Sequence, residues 1–392
     1  MENSFRNSFQ KLSNYVEQQN YQGWDPYDGL ESRLLKSIPL SDNKYFRLAW
    51  IQFFKRSPIN FRRIAGVPKG YNAKGLALFI SSYCIQYGKT PTNEIKGKIQ
   101  MLTNLLLSMA NSNFSGACWG YNFDWQARAF FQPKNMPTVV ATTYCACALL
   151  DAYEILGDER LLKTARSSCD FVLNDLNRTY NENGDFSFSY SPRDSTQVFN
   201  ASFLGSRLLS RVYKYLKEDE LRTQAEKSVK FCCEHQHVDG SWPYGTLPFH
   251  HWIDSFHTGF NLECLAEFER HTGIQTYHKH LERGFHYYLS KFFTELGESK
   301  YFSNSIYPID IHSPAQLVVT LYRLGKLDEQ QPLVQKVLLY TIRNMQDPTG
   351  YFYYQKKKWV NSKIPYMRWA QAWMFFAFSI YLTNFDDDKE KN

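Results

Sequence analysis

From about residue 70 onward, two apolar patterns alternate along the chain. One is nearly continuous and rich in small residues, as from Ala141 to Ala148 and from Ala370 to Ala377; the other, as in LLKTARSSCDFVL, sets apolar positions every three or four residues against a charged face. The first suits a helix buried on all sides, the second a helix with one wet face. Buried-type helices are predicted near 72–87, 138–156, 197–215, 255–271, 312–324 and 366–383, and amphipathic ones near 92–110, 159–176, 219–236, 275–293 and 330–346. Turns such as Leu156-Gly157-Asp158 and His271-Thr272-Gly273 join them into hairpins. Loop glycines recur at Gly116, Gly184, Gly240, Gly297 and Gly350, separated by 68, 56, 57 and 53 residues and followed by Trp119, Phe186, Trp242, Tyr301 and Tyr351. A period of this length marks a repeat architecture.

Six buried helices and five amphipathic ones leave the last unit without an outer partner. A helix over 4–19, with Phe5, Phe9, Leu12, Tyr15 and Val16 on one side, is the candidate to supply it. The expected fold is therefore all-α: a closed (α/α)6 toroid whose N-terminal helix completes the outer ring. An open solenoid would leave apolar faces such as WMFFAFSIYL uncapped at its edge. Residues 1–385 are expected to form one domain, and the acidic tail 386–392 a disordered end. Between the first helix and the repeats, 20–35 reads as a turn-rich loop. A helix follows over roughly 42–56, capped by Ser41 or Asp42 and ended before Pro58.

Charge narrows the function classes. Lys plus Arg exceed Asp plus Glu by 45 − 38 = 7, without the concentrated basic runs of a nucleic-acid binder. That mild bias suits an acidic small molecule or polysaccharide. No apolar run has the length of a signal peptide or a membrane span, so the reading is a soluble, cytoplasmic protein. The eight cysteines lack a disulfide-framework or zinc-ligand spacing and read as free thiols used as small hydrophobes. No metal or other cofactor is expected. The sequence leaves the oligomeric state open.

The chemistry concentrates in the loops. CWGYNFDWQARAFF, 118–131, reads as a binding loop in which Trp119, Tyr121 and Trp125 could stack on a sugar ring and Arg128 fork onto an anion. In a toroid the loops ahead of the inner helices share one mouth, so matching repeat positions become neighbours. WIDSFH and PIDIH place Asp254 and Asp310 56 residues apart, and His257 and His312 55 apart. One reading is a sugar epimerase or lyase acting by proton abstraction. His257 and His312 would be acid and base, with Tyr244 assisting, Arg128 and Arg368 holding the anion, and Trp242 and Trp369 among the sugar-binding residues. A second is a glycoside hydrolase using Asp254 and Asp310 as paired carboxyls. A third is a noncatalytic glycan-binding or scaffold protein in which both aspartates merely cap helices.

DGSWPYG, 239–245, resembles the aromatic-glycine loops of α/α-toroid proteins, the group that includes terpenoid cyclases, prenyltransferases and six-hairpin glycosidases. Neither the D-x-D-D acid motif of squalene-type cyclases nor the C-H-G string of zinc-bearing lanthionine-synthase-like toroids is present. GWDPYDGL at 23–30, CWGYNFDWQAR at 118–128 and IPYMRWAQAWM at 364–374 resemble a bacterial toroid family encoded among surface-polysaccharide biosynthesis genes. The resemblance implies a saccharide or glycan-precursor ligand and cytoplasmic work in building or editing a glycan. It carries over no catalytic residue. The epimerase or lyase reading takes that ligand to be an acidic or N-acetylated sugar.

Overall fold

The two apolar patterns sort into two concentric layers in the computed structural model, which describes residues 2–128 and 130–385. Helix α1 (Glu2–Gln18) precedes an excursion holding α2 (Arg33–Lys36) and α3 (Lys44–Arg56). Hairpins follow: α4 (Ala73–Lys89) with α5 (Asn93–Ser108), α6 (Val139–Leu156) with α7 (Glu159–Asn174), and α8 (Phe199–Leu216) with α9 (Asp219–Glu234). Next come α10 (Ser255–Thr272) with α11 (His278–Phe292), and α12 (His312–Arg323) with α13 (Gln331–Met345). A π-type turn, Met367–Gln371, leads into α14 (Ala372–Phe385). The tail expected to be disordered, 386–392, lies outside the described residues.

The continuous apolar segments became the inner ring. α4, α6, α8, α10, α12 and α14 pack each on the next, and α14 packs on α4, which closes the circle. α6 is long and apolar enough by composition to cross a membrane, but 72% of it is buried among its neighbours in the ring. The amphipathic helices stand outside, and α1 packs on α14 as their missing member. Two repeated contacts fix that place. Gln346 Nε2 donates to Ser8 O on α1 (3.0 Å) and to Gly350 O (2.9 Å), just as Gln236 Nε2 donates to His280 O on α11 (2.9 Å) and to Gly240 O (3.0 Å). A Cβ at Gly350 would stand 2.3 Å from Lys11 O, and one at Gly240 2.3 Å from Arg283 O. At Gly116, Gly240, Gly297 and Gly350 the loop thus lies directly on the backbone of the next outer helix, whereas Gly184 has open space around it.

The excursion is tied to the end of the chain. Met367 N–H donates to Trp24 O (3.1 Å), and Arg368 forks onto Asp25 (2.6 and 2.9 Å). Arg62 in turn donates to Asp28 (2.6 Å) and to Asp25 O (2.8 Å). Two of the sequence motifs, 23–30 and 364–374, are therefore halves of one joint. α3 begins two residues later than the sequence suggested. Asn43, not Ser41 or Asp42, caps it by accepting from Tyr45 and Phe46 N–H (2.9 and 3.1 Å), while Asp42 pairs with Arg47.

Short antiparallel pairs brace the loops: β1 (Trp125–Gln126) with β2 (Phe131–Gln132), β3 (Arg178–Tyr180) with β4 (Phe186–Phe188), and β5 (Ile309–Asp310) with β6 (Gln355–Lys356). All eight cysteines are buried and free. Part of the ring's interior is polar: Arg207 of α8 pairs with Glu263 (3.2 Å) and Glu267 of α10, and Arg323 of α12 also holds Glu267 (3.1 Å).

Candidate active site

The loops ahead of the inner helices enclose a cavity of about 620 Å³, and α3 forms part of its wall. That volume suits a small-molecule ligand. Both expected histidines border it, each set there by the start of its helix.

Asp254 is the N-cap of α10. Its Oδ1 accepts the His257 backbone N–H (2.8 Å) and its Oδ2 accepts from His257 Nδ1 (2.8 Å). A carboxylate cannot donate, so Nδ1 carries the proton in the neutral ring and the Nε2 lone pair is left free. One carboxyl group thus both caps the helix and orients the imidazole.

His312 opens α12 and is only 1% exposed, yet it borders the cavity and neither ring nitrogen has a hydrogen-bond partner. Its ring stacks on Phe256 (4.6 Å between centroids, 4° between planes) and lies 4.3 Å from Trp373. Burial, with Lys74, Arg368 and His257 nearby, holds its pKa well below the ordinary 6.5, so the imidazole stays neutral. His257 also lies against Phe256, at 4.3 Å, and 5.7 Å from Phe260, which is itself 5.6 Å from His312.

Asp310 does something different from Asp254. It is fully buried, and its oxygens accept from Trp369 Nε1 (2.8 Å), Gln355 Nε2 (2.7 Å) and His312 N–H (3.0 Å). Burial pushes its carboxyl up to about 6 against these three bonds. Asp310 holds Trp369 edge-to-face to His312 at 5.2 Å, with the Trp369 ring on the cavity. Neither aspartate lines the main cavity, so the paired-carboxyl hydrolase expected from the repeat spacing has no reagents facing its substrate.

Other expected residues separate in the same way. Tyr121, Trp125, Arg128, Tyr244, Arg368 and Trp369 line the cavity; Trp119 and Trp242 do not. Both tryptophans are buried and clamp their loop to the preceding outer helix, Trp119 Nε1 donating to Leu106 O and Trp242 Nε1 to Cys232 O, each at 2.9 Å. They recur because the repeat needs them. Trp242→Phe is expected to lower stability by about 1 kcal/mol, since the Cys232 carbonyl keeps only the His235 N–H (3.2 Å), with sugar binding unchanged; chemical denaturation and calorimetry check both halves. Arg368 also needs correction as an anion holder, because its guanidinium is already forked onto Asp25. Tyr244 stacks on Trp252 (4.3 Å) and meets His257 edge-on (4.8 Å); burial pushes its pKa up, so the phenol stays protonated.

The sequence reading missed Lys74 as a lining residue. Lys74, in the first turn of α4, is 3% exposed and has no ion pair or hydrogen bond among the described residues. Its Nζ lies over the faces of Tyr144 (4.2 Å), Phe260 (4.9 Å) and Trp373 (5.2 Å). Burial and the nearby Arg368 lower its pKa well below 10.5. The available signal was a lysine inside an otherwise apolar inner helix. Asn200 and His250 also line the cavity, with Asn200 Oδ1 and His250 Nδ1 lacking partners.

No family model matches the sequence, and no curated protein matches it. Solved structures do match. Cellobiose 2-epimerase from Bacillus thermoamylovorans B4167 superposes with a TM-score of 0.64 at 10% identity, covering 80% of this chain and 88% of that one. The GH76 α-mannanase from Bacteroides thetaiotaomicron gives 0.62 at 13% identity, covering 81% and 88%. A polysaccharide lyase gives 0.59 at 11% identity, covering 82% and 93%. The fold is that of the α/α toroids, to which all three belong. At these identities the likeness defines architecture, and the three neighbours carry three different reactions on it.

Proposed function

We propose that this protein is a carbohydrate-active enzyme that moves a proton at a sugar carbon, as an epimerase or lyase, with His257 and His312 as the acid–base pair. The observation carrying the reading is that both imidazoles border one cavity beside Phe256 and Phe260 with nitrogens free to meet a ligand. His312, neutral and desolvated, takes the proton from the carbon beside a carbonyl. His257, oriented by Asp254, exchanges a proton on the other side of the substrate. As the proton leaves, negative charge gathers on the carbonyl oxygen, and Lys74 supplies an unpaired buried donor for it. Trp125, Trp369 and Tyr244 provide apolar faces for the ring. The motif resemblance supports placing this work in polysaccharide biosynthesis in the cytoplasm, on an acidic or N-acetylated sugar.

The test is solvent deuterium incorporation, followed by NMR, into uronic acids, N-acetylhexosamines and their nucleotide-linked and oligomeric forms. Exchange at one ring carbon is expected, reduced by about 10²–10⁴ in His257→Ala. Sugars that bind the cavity without exchange at any carbon would instead indicate a binding protein.

A further inference from the structure

The charges around the cavity are one-sided. Lys55, Arg56, Lys74, Arg128 and Arg368 line it, and no aspartate or glutamate does among the described residues. Only Arg368 has its charge matched, by Asp25. Lys55 Nζ donates to a neutral partner, Tyr27 Oη (2.7 Å), and Arg56 Nε to another, Gln52 Oε1 (3.0 Å). Lys357 adds to the excess, its Nζ donating to Arg56 O (2.9 Å), and its pKa is lowered by burial and by Arg56. Arg128 is exposed and Lys55 half-buried, whereas Lys74 lies deep. The unmatched charge therefore divides into an outer group, Lys55, Arg56 and Arg128, and one inner amine beside the histidines. Like charges gathered without counter-charge destabilise the empty protein and raise the local concentration of an anion.

We propose that the substrate is a saccharide carrying a phosphate ester, bound with its sugar inward against the histidines and its phosphate outward among Lys55, Arg56 and Arg128. This rests on the proton-transfer reading for the orientation of the sugar, but the anion site stands on its own residues. A phosphate is favoured over a uronate carboxylate by count. One arginine fork satisfies a carboxylate, whereas a phosphomonoester brings close to two charges and three strong acceptor oxygens, which three outer cations match.

Calorimetric titration tests this without requiring turnover, with inorganic phosphate, glucose, glucuronate, glucose 1-phosphate and glucose 6-phosphate as probes at low and high salt. The expected result is that at least one phosphate ester binds about tenfold or more tightly than glucose and more tightly than glucuronate, with a preference that shrinks as salt rises. The triple variant Lys55→Gln, Arg56→Gln, Arg128→Gln should lose that preference at a melting temperature no lower than the wild type's, while His312→Phe keeps it. The proposal is overturned if no phosphate compound binds, if glucuronate binds more tightly than every phosphate ester, or if the triple variant keeps the preference. A phosphate preference without deuterium exchange in any bound sugar would retain this site and remove the proton-transfer reading alone.

Discussion

His312→Phe is expected to abolish proton exchange, by about 10²–10⁴, in a protein at least as stable as the wild type. Two opposing effects reside in one ring. The imidazole stacks in parallel on Phe256 and lies beside Trp373, contacts that a phenyl ring of similar shape can keep. Both of its nitrogens are buried without a partner, and phenylalanine removes that cost. A histidine with a structural role would give the reverse, a loss of stability on substitution.

The pH dependence sharpens the distinction. The folded pKa of His312 lies well below the 6.5 of the free side chain, so below about pH 6.5 the unfolded chain binds a proton that the folded protein does not. Stability from this group is therefore lost as pH falls from there, and His312→Phe should escape that loss. The stability gap between variant and wild type should widen in favour of the variant on acidification, as read by urea midpoints at pH 7 and pH 5. The catalytic acid limb from His312 should likewise lie below pH 6.5.

The architecture was legible in the sequence because inner and outer helices obey different burial rules, and those rules write different patterns. Even the closing of the ring by α1 followed from an unpaired last unit. The site was legible where matching repeat positions carry ligand-facing side chains, as at His257 and His312, and misread where the recurrence is structural. Trp119 and Trp242 stood out as aromatics after loop glycines, yet that recurrence is what a structural clamp produces. Asp254 and Asp310 share a repeat position and look alike in one dimension, but only the first holds a histidine side chain. Residue 310 instead reaches Trp369 and Gln355, 59 and 45 positions away, partners that no local pattern reveals. The excursion 20–70 was the least readable segment. Its turns were visible, but its role as a cavity wall depends on the joint between Asp25 and Arg368, 343 residues apart.

The second large effect concerns the charges inside the ring. Arg207→Met is expected to destabilise the protein by about 3–5 kcal/mol, since it leaves buried carboxylates without their cation. Burial pushes the Glu267 carboxyl up, but Arg207, Arg323 and Arg211 outweigh it and hold the pKa far below the ordinary 4.5. Such a group stabilises the fold above its unfolded pKa, and that stability is lost as pH falls toward the folded one. With Arg207 gone, Glu267 keeps Arg323 as its ion pair and Arg211 nearby, and that acid dependence should weaken. Glu263, already raised by burial, keeps only Tyr144 Oη at 3.2 Å. Neutralising it in Arg207→Met/Glu263→Gln should restore at least about 1 kcal/mol, a recovery that a double-mutant cycle measures. The same Tyr144 carries Lys74 on its ring face, so the loss should reach the cavity: exchange by Arg207→Met should fall even where the variant is fully folded. If exchange stays at the wild-type rate under those conditions, the ion cluster supports the ring without positioning the inner amine.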